Sequence, residues 1–479
     1  LGSAAGSRFK ELIIYTLRNY QQEAVDAAIE CLTAKKQKNG ILVLPTGSGK
    51  SIIVAKLVEV LGGKTIILQP TKEILEQNLE KLIAIGCKNV GVYSASMNKK
   101  YVGSITLATI GSVVNKISLF SEFDRIIIDE CHKVNAKGGM YEKFINKLDI
   151  PVLGLTATPY RMRSYRHFKT GQPIAESRII TRTRPRIFSK IAHVTQIQEL
   201  FDAGFLCPME YECDADYNPS LITMTTTGMG FNPAALAKYN KNMNITEKTF
   251  LSVMQAKRKS NLIFTEFTSE SKEVIELFAK EGIKCCEVSA ETKPKDRERI
   301  IRNFKAGTIS HVINVGTLTT GFDYPELACV CMSSPGMSVA LYYQKAGRGI
   351  RIAEGKDSCL LIDLCGNVKR FGKIETFELY DQNGKGMWRL KSSAGNLTGT
   401  DVITGKNLEK VKPAYKGPEK SESGLQLITF GKYSGTPVKE LSDDYLKWCA
   451  ENFDSGKWKK IFRTELVSRD IEIEHTIPF

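Results

Sequence analysis

A chain of 479 residues is too long for one ordinary hydrophobic core, so roughly two to four domains are expected on size alone. A hydrophobic fraction of 42% and a charged fraction of 25% fit a soluble globular protein, and no apolar run reaches the roughly 18 residues that a bilayer span requires. The formal net charge of +15 suits a polyanionic partner such as nucleic acid.

The opening "LGSAAGS" is small and flexible, lacks the basic-then-apolar layout of a secretion signal, and reads as a tag scar within residues 1–10. The twelve cysteines contain no CxxC pair, so they read as reduced, mostly buried thiols of a cytoplasmic protein with no structural zinc.

Residues 18–130 alternate between strand-like and helical stretches. "ILVL" (41–44), "TIILQ" (65–69), "ITLAT" (105–109) and "RIIID" (125–129) are short and mostly β-branched, with helices expected over 51–61 and 72–84 between them. "VLGLTAT" (152–158) is a further strand. Unbroken apolar strands joined by helices predict a parallel sheet covered on both faces. Residues 160–190 are rich in arginine and lysine and read as a loop-rich basic segment, either a solvated surface or a contact with nucleic acid. Alternation restarts near residue 260 with "NLIFTEF", "IKCCEVSA", "HVINVG", "ACVCMSS" and "SCLLIDL", and with helices over 269–280 and 295–304. The sequence therefore predicts two α/β lobes of similar build, over 11–195 and 196–372. A Gly-, Lys-, Ser- and Thr-rich linker follows at 373–424, then a small α+β module at 425–479. That module is expected to hold a hairpin in "LITFGKYSGTPVKEL". Its helix would be capped by Ser442, with Asp443 and Asp444 in the first turn.

Two features carry chemistry. "LPTGSGKS" (44–51) follows a strand and opens a helix. A glycine-rich turn there lets the backbone of Pro45, Thr46, Gly47, Ser48 and Gly49 close around phosphates at a helix N-terminus. Lys50 would reach the β- and γ-phosphates of ATP, and the Ser51 hydroxyl would hold Mg²⁺. The pattern normally begins with Gly, where this chain has Leu44. "IIIDECH" (126–132) ends a buried strand in two carboxylates, at the edge where parallel sheets bind ligands. Asp129 suits the metal, and Glu130 suits orienting or deprotonating the attacking water.

These motifs, with others in the same order, resemble those of superfamily 2 helicases. "LRNYQQEAV" is similar to the adenine-reading segment, which implies that Gln21 bonds adenine with Arg18 assisting. "LPTGSGKS" is similar to motif I, "LQPTKEILEQ" to motif Ia, "LATIGSV" to motif Ib, "DECH" to motif II, and "TATP" (156–159) to motif III. "LIFTEF", "GTLTTGFDYP" (316–325) and "QKAGRGIR" (344–351) stand where motifs IV, V and VI are expected. The resemblance implies two tandem RecA-like P-loop lobes. Arg348 and Arg351 would act as arginine fingers, Gln344 would organise nucleotide or water, and Asp323 would sense the ribose or the lobe interface. Nucleic acid would be gripped by Thr71, Lys72, Thr109, Gly111 and Ser112 of the first lobe and by Thr317 and Thr319 of the second. His132, Thr156 and Thr158 would couple the two sites.

"LIDLCGNVKRFG" and the DECH spelling resemble RadD-like repair helicases and phage branch-migration helicases of the UvsW type. The implied substrate is single-stranded, forked or branched DNA, in repair, recombination or replication. Single-stranded-DNA-binding or recombination proteins are candidate partners, in a bacterial cytoplasm or that of a phage host. An RNA helicase and an ATP-gated DNA clamp without unwinding are the alternative readings.

Overall fold

The computed structural model describes residues 16–34, 39–135, 138–166, 173–183, 185–317, 322–408, 419–420, 425–428, 433, 435–452 and 456–470. The expected tag scar at 1–10 lies outside these residues. The chain divides into two units, one up to Asn407 and one from Leu408.

The first sheet holds β1 (Gly40–Val43), β2 (Thr65–Gln69), β3 (Val90–Ser94), β4 (Lys99–Tyr101), β5 (Ile105–Thr109), β6 (Arg125–Asp129) and β7 (Val152–Thr156). After β7 the chain makes a two-stranded hairpin, β8 (Tyr160–Arg166) and β9 (Pro173–Ile179), then returns as β10 (Lys190–Val194). The sheet order is β10-β1-β7-β6-β2-β5-β3-β4, parallel throughout except for β4 against β3. Both faces are covered. Leu42, Ile67, Ile127 and Leu153 point into one core with the helices Asn19–Thr33, Lys50–Leu61 and Lys72–Ala84. Ile41, Ile66, Ile126 and Ile128 point into the other, against Phe120 and Phe144. The period of two explains why these strands lack polar alternation. Ile126, Ile127 and Ile128 are all 0% exposed, and each is worth roughly 1.5–3 kcal/mol in buried area.

The basic segment at 160–190 is thus not loop-rich. The inner face of its hairpin carries Tyr160, Ala175, Ser177 and Ile179, all buried, while arginines fill the outer positions. Outward arginines hide a period-two pattern whose inward face mixes large apolar residues, Tyr160 and Ile179, with the small Ala175 and polar Ser177.

The second sheet holds β11 (Met209–Cys213), β12 (Asn261–Thr265), β13 (Cys285–Val288), β14 (His311–Val315), β15 (Cys329–Ser333) and β16 (Cys359–Asp363). Its order is β11-β16-β15-β12-β14-β13, all parallel. Cys329, Cys331 and Cys359 are free thiols packed as small apolar side chains in its core.

His311 opens β14 almost fully buried, tilted against Phe278 at 4.6 Å, with Ser310 Oγ 2.8 Å from its Nδ1. Burial pushes its imidazole down to about 4, so the folded lobe holds the neutral ring. The unfolded chain takes up a proton near pH 6.5 and the folded chain only near 4, so His311 costs stability as pH falls through that window. We expect thermal melting temperature to drop between pH 6.5 and 4, and His311→Gln to flatten that drop.

The expected linker at 373–424 is folded as far as Asn407. Its strands β17 (Glu378–Asp381), β18 (Trp388–Ser392) and β19 (Gly395–Asn396) form an antiparallel sheet. Leu379, Leu390, Leu397 and Val402 anchor it in the main core. The Gln196 amide clasps Leu379, donating to its carbonyl at 2.7 Å and accepting from its N–H at 3.1 Å. Thr398 and Asp401 bridge to Ser177 and Glu176 of β9. At most one buried residue per strand, on a Gly- and Lys-rich background, left no periodicity to read.

The second unit packs Ile428, Val438, Leu441, Leu446, Cys449, Trp458, Phe462 and Leu466 into its own core. Its short strands are β20 (Glu419–Lys420) and β21 (Gln426–Leu427), followed by the helices Asp443–Asn452 and Gly456–Ser468. Asp443 and Asp444 stand in the first turn, and Asp443 pairs with Arg469 at 2.8 Å. Among the described residues, no helix is long and apolar enough to cross a membrane.

Candidate active site

The phosphate loop leaves β1 and enters the helix Lys50–Leu61 through Gly49. Gly47 and Gly49 have φ of +86° and +80°, the left-handed region that suits glycine. A Cβ at 49 would lie 2.6 Å from Gln21 Nε2, and one at 47 would lie 2.9 Å from Leu206 Cδ2. Lys50 Nζ donates to the carbonyls of Leu44 and Pro45 at 2.8 and 3.1 Å, curled over the loop that would receive a phosphate. The Ser48 hydroxyl is buried with no hydrogen-bond partner among the described residues.

Gln21 braces this loop from the helix Asn19–Thr33. Its Nε2 donates to Ser48 O at 3.0 Å, and its Oε1 accepts the Arg18 N–H at 3.0 Å. The Arg18 guanidinium lies 3.7 Å from the Phe205 ring centroid. Both side chains are engaged within the protein. Neither lines the cleft between the phosphate loop and the second lobe.

Asp129 and Glu130 end β6. Asp129 Oδ1 accepts the Glu130 N–H at 2.9 Å, and Glu130 sits at φ +49°, a strained conformation that turns its side chain into the cleft. Asn78 then links the two expected metal ligands: Ser51 Oγ donates to its Oδ1 at 2.5 Å, and its Nδ2 donates to Asp129 Oδ2 at 3.3 Å. Burial and the neighbouring Glu130 charge push the Asp129 carboxyl up to about 6. Burial also raises Glu130, but the His132 hydrogen bond and Lys50 outweigh it and hold that carboxyl down to about 2. The cleft therefore keeps one firm negative charge and one carboxylate that a cation would readily ionise. The orphaned Ser48 hydroxyl and the paired oxygens of Ser51 and Asp129 fit a Mg²⁺–triphosphate.

The second lobe closes the cleft. The cleft, open to solvent, is lined by Thr46 to Ser51, Asp129 and Glu130 on one side, and by Asp323, Gln344, Arg348 and Arg351 on the other. Arg351 Nε lies 3.4 Å from Asp323 Oδ1, and Arg348 Nη1 donates to Phe322 O. Burial, with Arg351 beside it, lowers the Arg348 guanidinium to about 10. The lobes also touch at Gly347, where a Cβ would stand 3.5 Å from Thr46.

His132 joins the two halves. Its Nδ1 lies 2.9 Å from Thr156 Oγ1, 3.3 Å from Thr158 Oγ1 and 3.2 Å from Glu130 Oε2, and its Nε2 lies 3.3 Å from Gln344 Nε2. With the proton on Nδ1, Nε2 accepts from the Gln344 amide, and the ring spans both lobes. Gly154 makes room for the neighbouring Cys131, since a Cβ there would meet Cys131 Sγ at 2.6 Å.

Thr71, Thr109 and Ser112 gather at the carboxyl ends of the paired strands β2 and β5. Thr71 caps the helix Lys72–Ala84 by accepting the Ile74 N–H, and Lys72 pairs with Glu76 at 3.6 Å. Thr109 and Ser112 hydroxyls lie 2.9 Å apart, and a Cβ on Gly111 would meet open space. Thr317 follows β14 and donates to Asn314 Oδ1 at 2.7 Å. Thr319 lies outside the described residues.

Sequence reading missed Gln77, Asn78 and Lys81, which line the cleft with Ile74. The spacing i, i+3, i+4, i+7 places them on one helix face, and three polar residues on an inward stripe were the available signal.

Residues 14–161 match the family model of the type III restriction enzyme res subunit, and 241–353 match that of the helicase conserved C-terminal domain. A Saccharomyces cerevisiae protein, described provisionally as the ATP-dependent helicase IRC3, is 27% identical over 376 residues, covering 73% of this chain and 51% of its own. The DNA 3'-5' translocase XPB2 of Sulfurisphaera tokodaii is 33% identical over 147 residues, 30% of this chain and 31% of that one. Among solved structures, the Type ISP restriction-modification enzyme LlaBIII bound to DNA aligns at TM-score 0.54 and 18% identity. It covers 73% of this chain and 27% of that chain, a likeness of fold. The chain spans about half the length of the IRC3 relative.

Proposed function

We propose that this chain, whose residues 14–161 and 241–353 match the models of the type III restriction enzyme res subunit and of the helicase conserved C-terminal domain, is an ATP-dependent DNA helicase or translocase of superfamily 2. In this reading it couples ATP hydrolysis to unwinding or branch migration of forked or branched DNA in repair, recombination or replication. The observation that carries this reading is a single cleft lined by Lys50 and the carboxylates of one lobe and by Arg348 and Arg351 of the other.

Lys50 and the loop amides hold the β- and γ-phosphates of ATP at the helix N-terminus. Ser51 and Asp129 would hold Mg²⁺, which when bound would supply neutralisation of the triphosphate charge. Asn78 keeps those two ligands in register. Glu130 orients the attacking water and takes its proton. Arg348 and Arg351 offer planar forks to the charge that develops on the transferred group. The Gln344–His132–Thr156 chain reports whether the lobes are shut to the strand that ends in motif III. Thr71, Lys72, Thr109, Gly111, Ser112, Thr317 and Thr319 hold backbone phosphates, which suits grip without regard to sequence. The unit from Leu408 onward is an accessory module for substrate choice. Comparison with the Haloarcula marismortui chain described provisionally as the DNA 3'-5' helicase Rad25, 27% identical over 350 residues, favours DNA over RNA.

The deciding experiment titrates ATP hydrolysis with single-stranded, duplex, forked and four-way DNA and with matched RNA, alongside strand displacement on the forked substrate. Stimulation greatest with forked or four-way DNA, together with displacement, is expected. Stimulation by RNA alone, or DNA binding without displacement, would refute it.

A further inference from the structure

We propose that the outer face of the β8–β9 hairpin is a second nucleic-acid contact, separate from the motif track, that holds the backbone of a single strand and stacks an unpaired base on Tyr165. The inference rests on the proposed action on nucleic acid.

The register of the hairpin sorts its side chains. Arg161 faces Arg178, Arg163 faces Glu176 and Tyr165 faces Ile174 on one side, while the buried residues take the other. Residues 160–190 hold seven arginines and two lysines against one acid, Glu176. Tyr165 is 38% exposed for so large a ring, and the Arg163 guanidinium sits 5.9 Å from its centroid. Arg182 lies just beyond, near enough to Arg389 of β18 that the two guanidiniums repel. Asp401 is near Tyr165, but its carboxylate is turned inward, accepting the N–H groups of Ile403 and Thr404 at 3.1 and 2.7 Å. Crowded like charge of this kind raises the energy of the folded chain unless a polyanion relieves it. Arginines interleaved with an exposed ring suit a strand whose bases are unpaired, because phosphates meet the guanidiniums and any base offers a face to stack.

The position makes the contact useful to a motor. The hairpin follows β7, two strands away from β2 and three from β5, so it lies apart from Thr71, Thr109 and Ser112. At its root, Arg161 Nη1 donates to Val134 O at 2.8 Å, two residues beyond His132. On the opposite face of the hairpin, Ser164 Oγ donates to Thr227 O and Arg166 Nη2 donates to Thr226 O, both between β11 and β12 of the second lobe. The hairpin that bears the proposed contact is therefore tied to motif II at its root and to the second lobe through its other face.

The test measures binding of a labelled single-stranded oligonucleotide and of a blunt duplex across a salt series, without nucleotide, alongside ATP hydrolysis without nucleic acid. Arg163→Ala/Tyr165→Ala is expected to weaken single-strand binding about 10-fold and to reduce the salt slope by about 0.7, one phosphate contact. Unstimulated hydrolysis and the melting temperature should not change. Tyr165→Phe, which keeps the ring, should bind as wild type does, while Tyr165→Ala loses single-strand affinity and leaves duplex affinity intact. Wild-type affinity and salt slope in the double variant would overturn this contact while leaving the functional reading standing. A wild-type protein that hydrolyses ATP yet binds neither probe would instead bring down the functional reading, and this inference with it.

Discussion

Arg348→Ala lowers nucleic-acid-stimulated ATP hydrolysis by about 10³-fold or more, with little change in nucleic-acid affinity; this is the expected result on the scale of arginine fingers in other P-loop enzymes. Arg348 belongs to the second lobe, yet it lines the same cleft as Lys50 and Glu130. Burial beside Arg351 lowers its guanidinium to about 10, so its charge is held in a place that does not favour it. A residue kept for stability alone would not be placed there, because two partly buried guanidiniums side by side cost more than a packed apolar pair of the same volume. Phosphate charge arriving in the cleft reverses that cost. Arg348→Lys should recover only a small part of the rate, since an ammonium keeps the charge but loses the planar fork. Arg351 is oriented by Asp323, so Asp323→Ala should mimic part of the Arg351→Ala defect. Single-turnover hydrolysis separates these effects from product release. An Arg348→Ala chain that keeps more than a tenth of the stimulated rate would remove the second lobe from the chemistry.

The sequence made the strands and the chemistry legible where one pattern dominated. Buried parallel strands such as "IIIDECH" and "TIILQ" announce themselves by unbroken β-branched residues, and the acids at their ends gain meaning from a glycine turn elsewhere in the chain. What stayed hidden was built from weak or mixed signals. The β8–β9 hairpin is half arginine on its outward face, and its inward face uses Ala175 and Ser177, which carry little hydropathy. The β17–β19 sheet is anchored by single leucines, and its attachment to Gln196 joins residues 183 apart, a pairing no local window reveals. Asn78 was missed because an asparagine inside a helix reads as solvent-facing until the neighbouring strand places Asp129 opposite it.

Lys50→Ala separates binding of nucleic acid from hydrolysis, and its effect on stability distinguishes the phosphate site from a structural lysine. Lys50 Nζ is held by the Leu44 and Pro45 carbonyls, and burial lowers its ammonium against the pull of Glu130 and Asp129. A lysine with a lowered folded pKa makes the folded state bind its proton less tightly, so the charged side chain opposes folding at neutral pH. Removing it should therefore leave the ATP-free melting temperature unchanged or slightly higher. Stimulated hydrolysis should fall by at least about 10²–10³-fold, the scale for losing one preorganised charge donor at a reacting group. ATP should no longer raise the melting temperature, because the ligand has lost its main contact in the folded state. Binding of single-stranded DNA without nucleotide should stay within about twofold of wild type, since Thr71, Thr109 and Ser112 stand at the ends of β2 and β5, away from the phosphate loop. A Lys50→Ala chain that melts several degrees lower and still turns over ATP would mean that the ammonium braces the loop and the triphosphate is held elsewhere. Ser51, Asp129 and Arg348 would then have no common substrate on which to act.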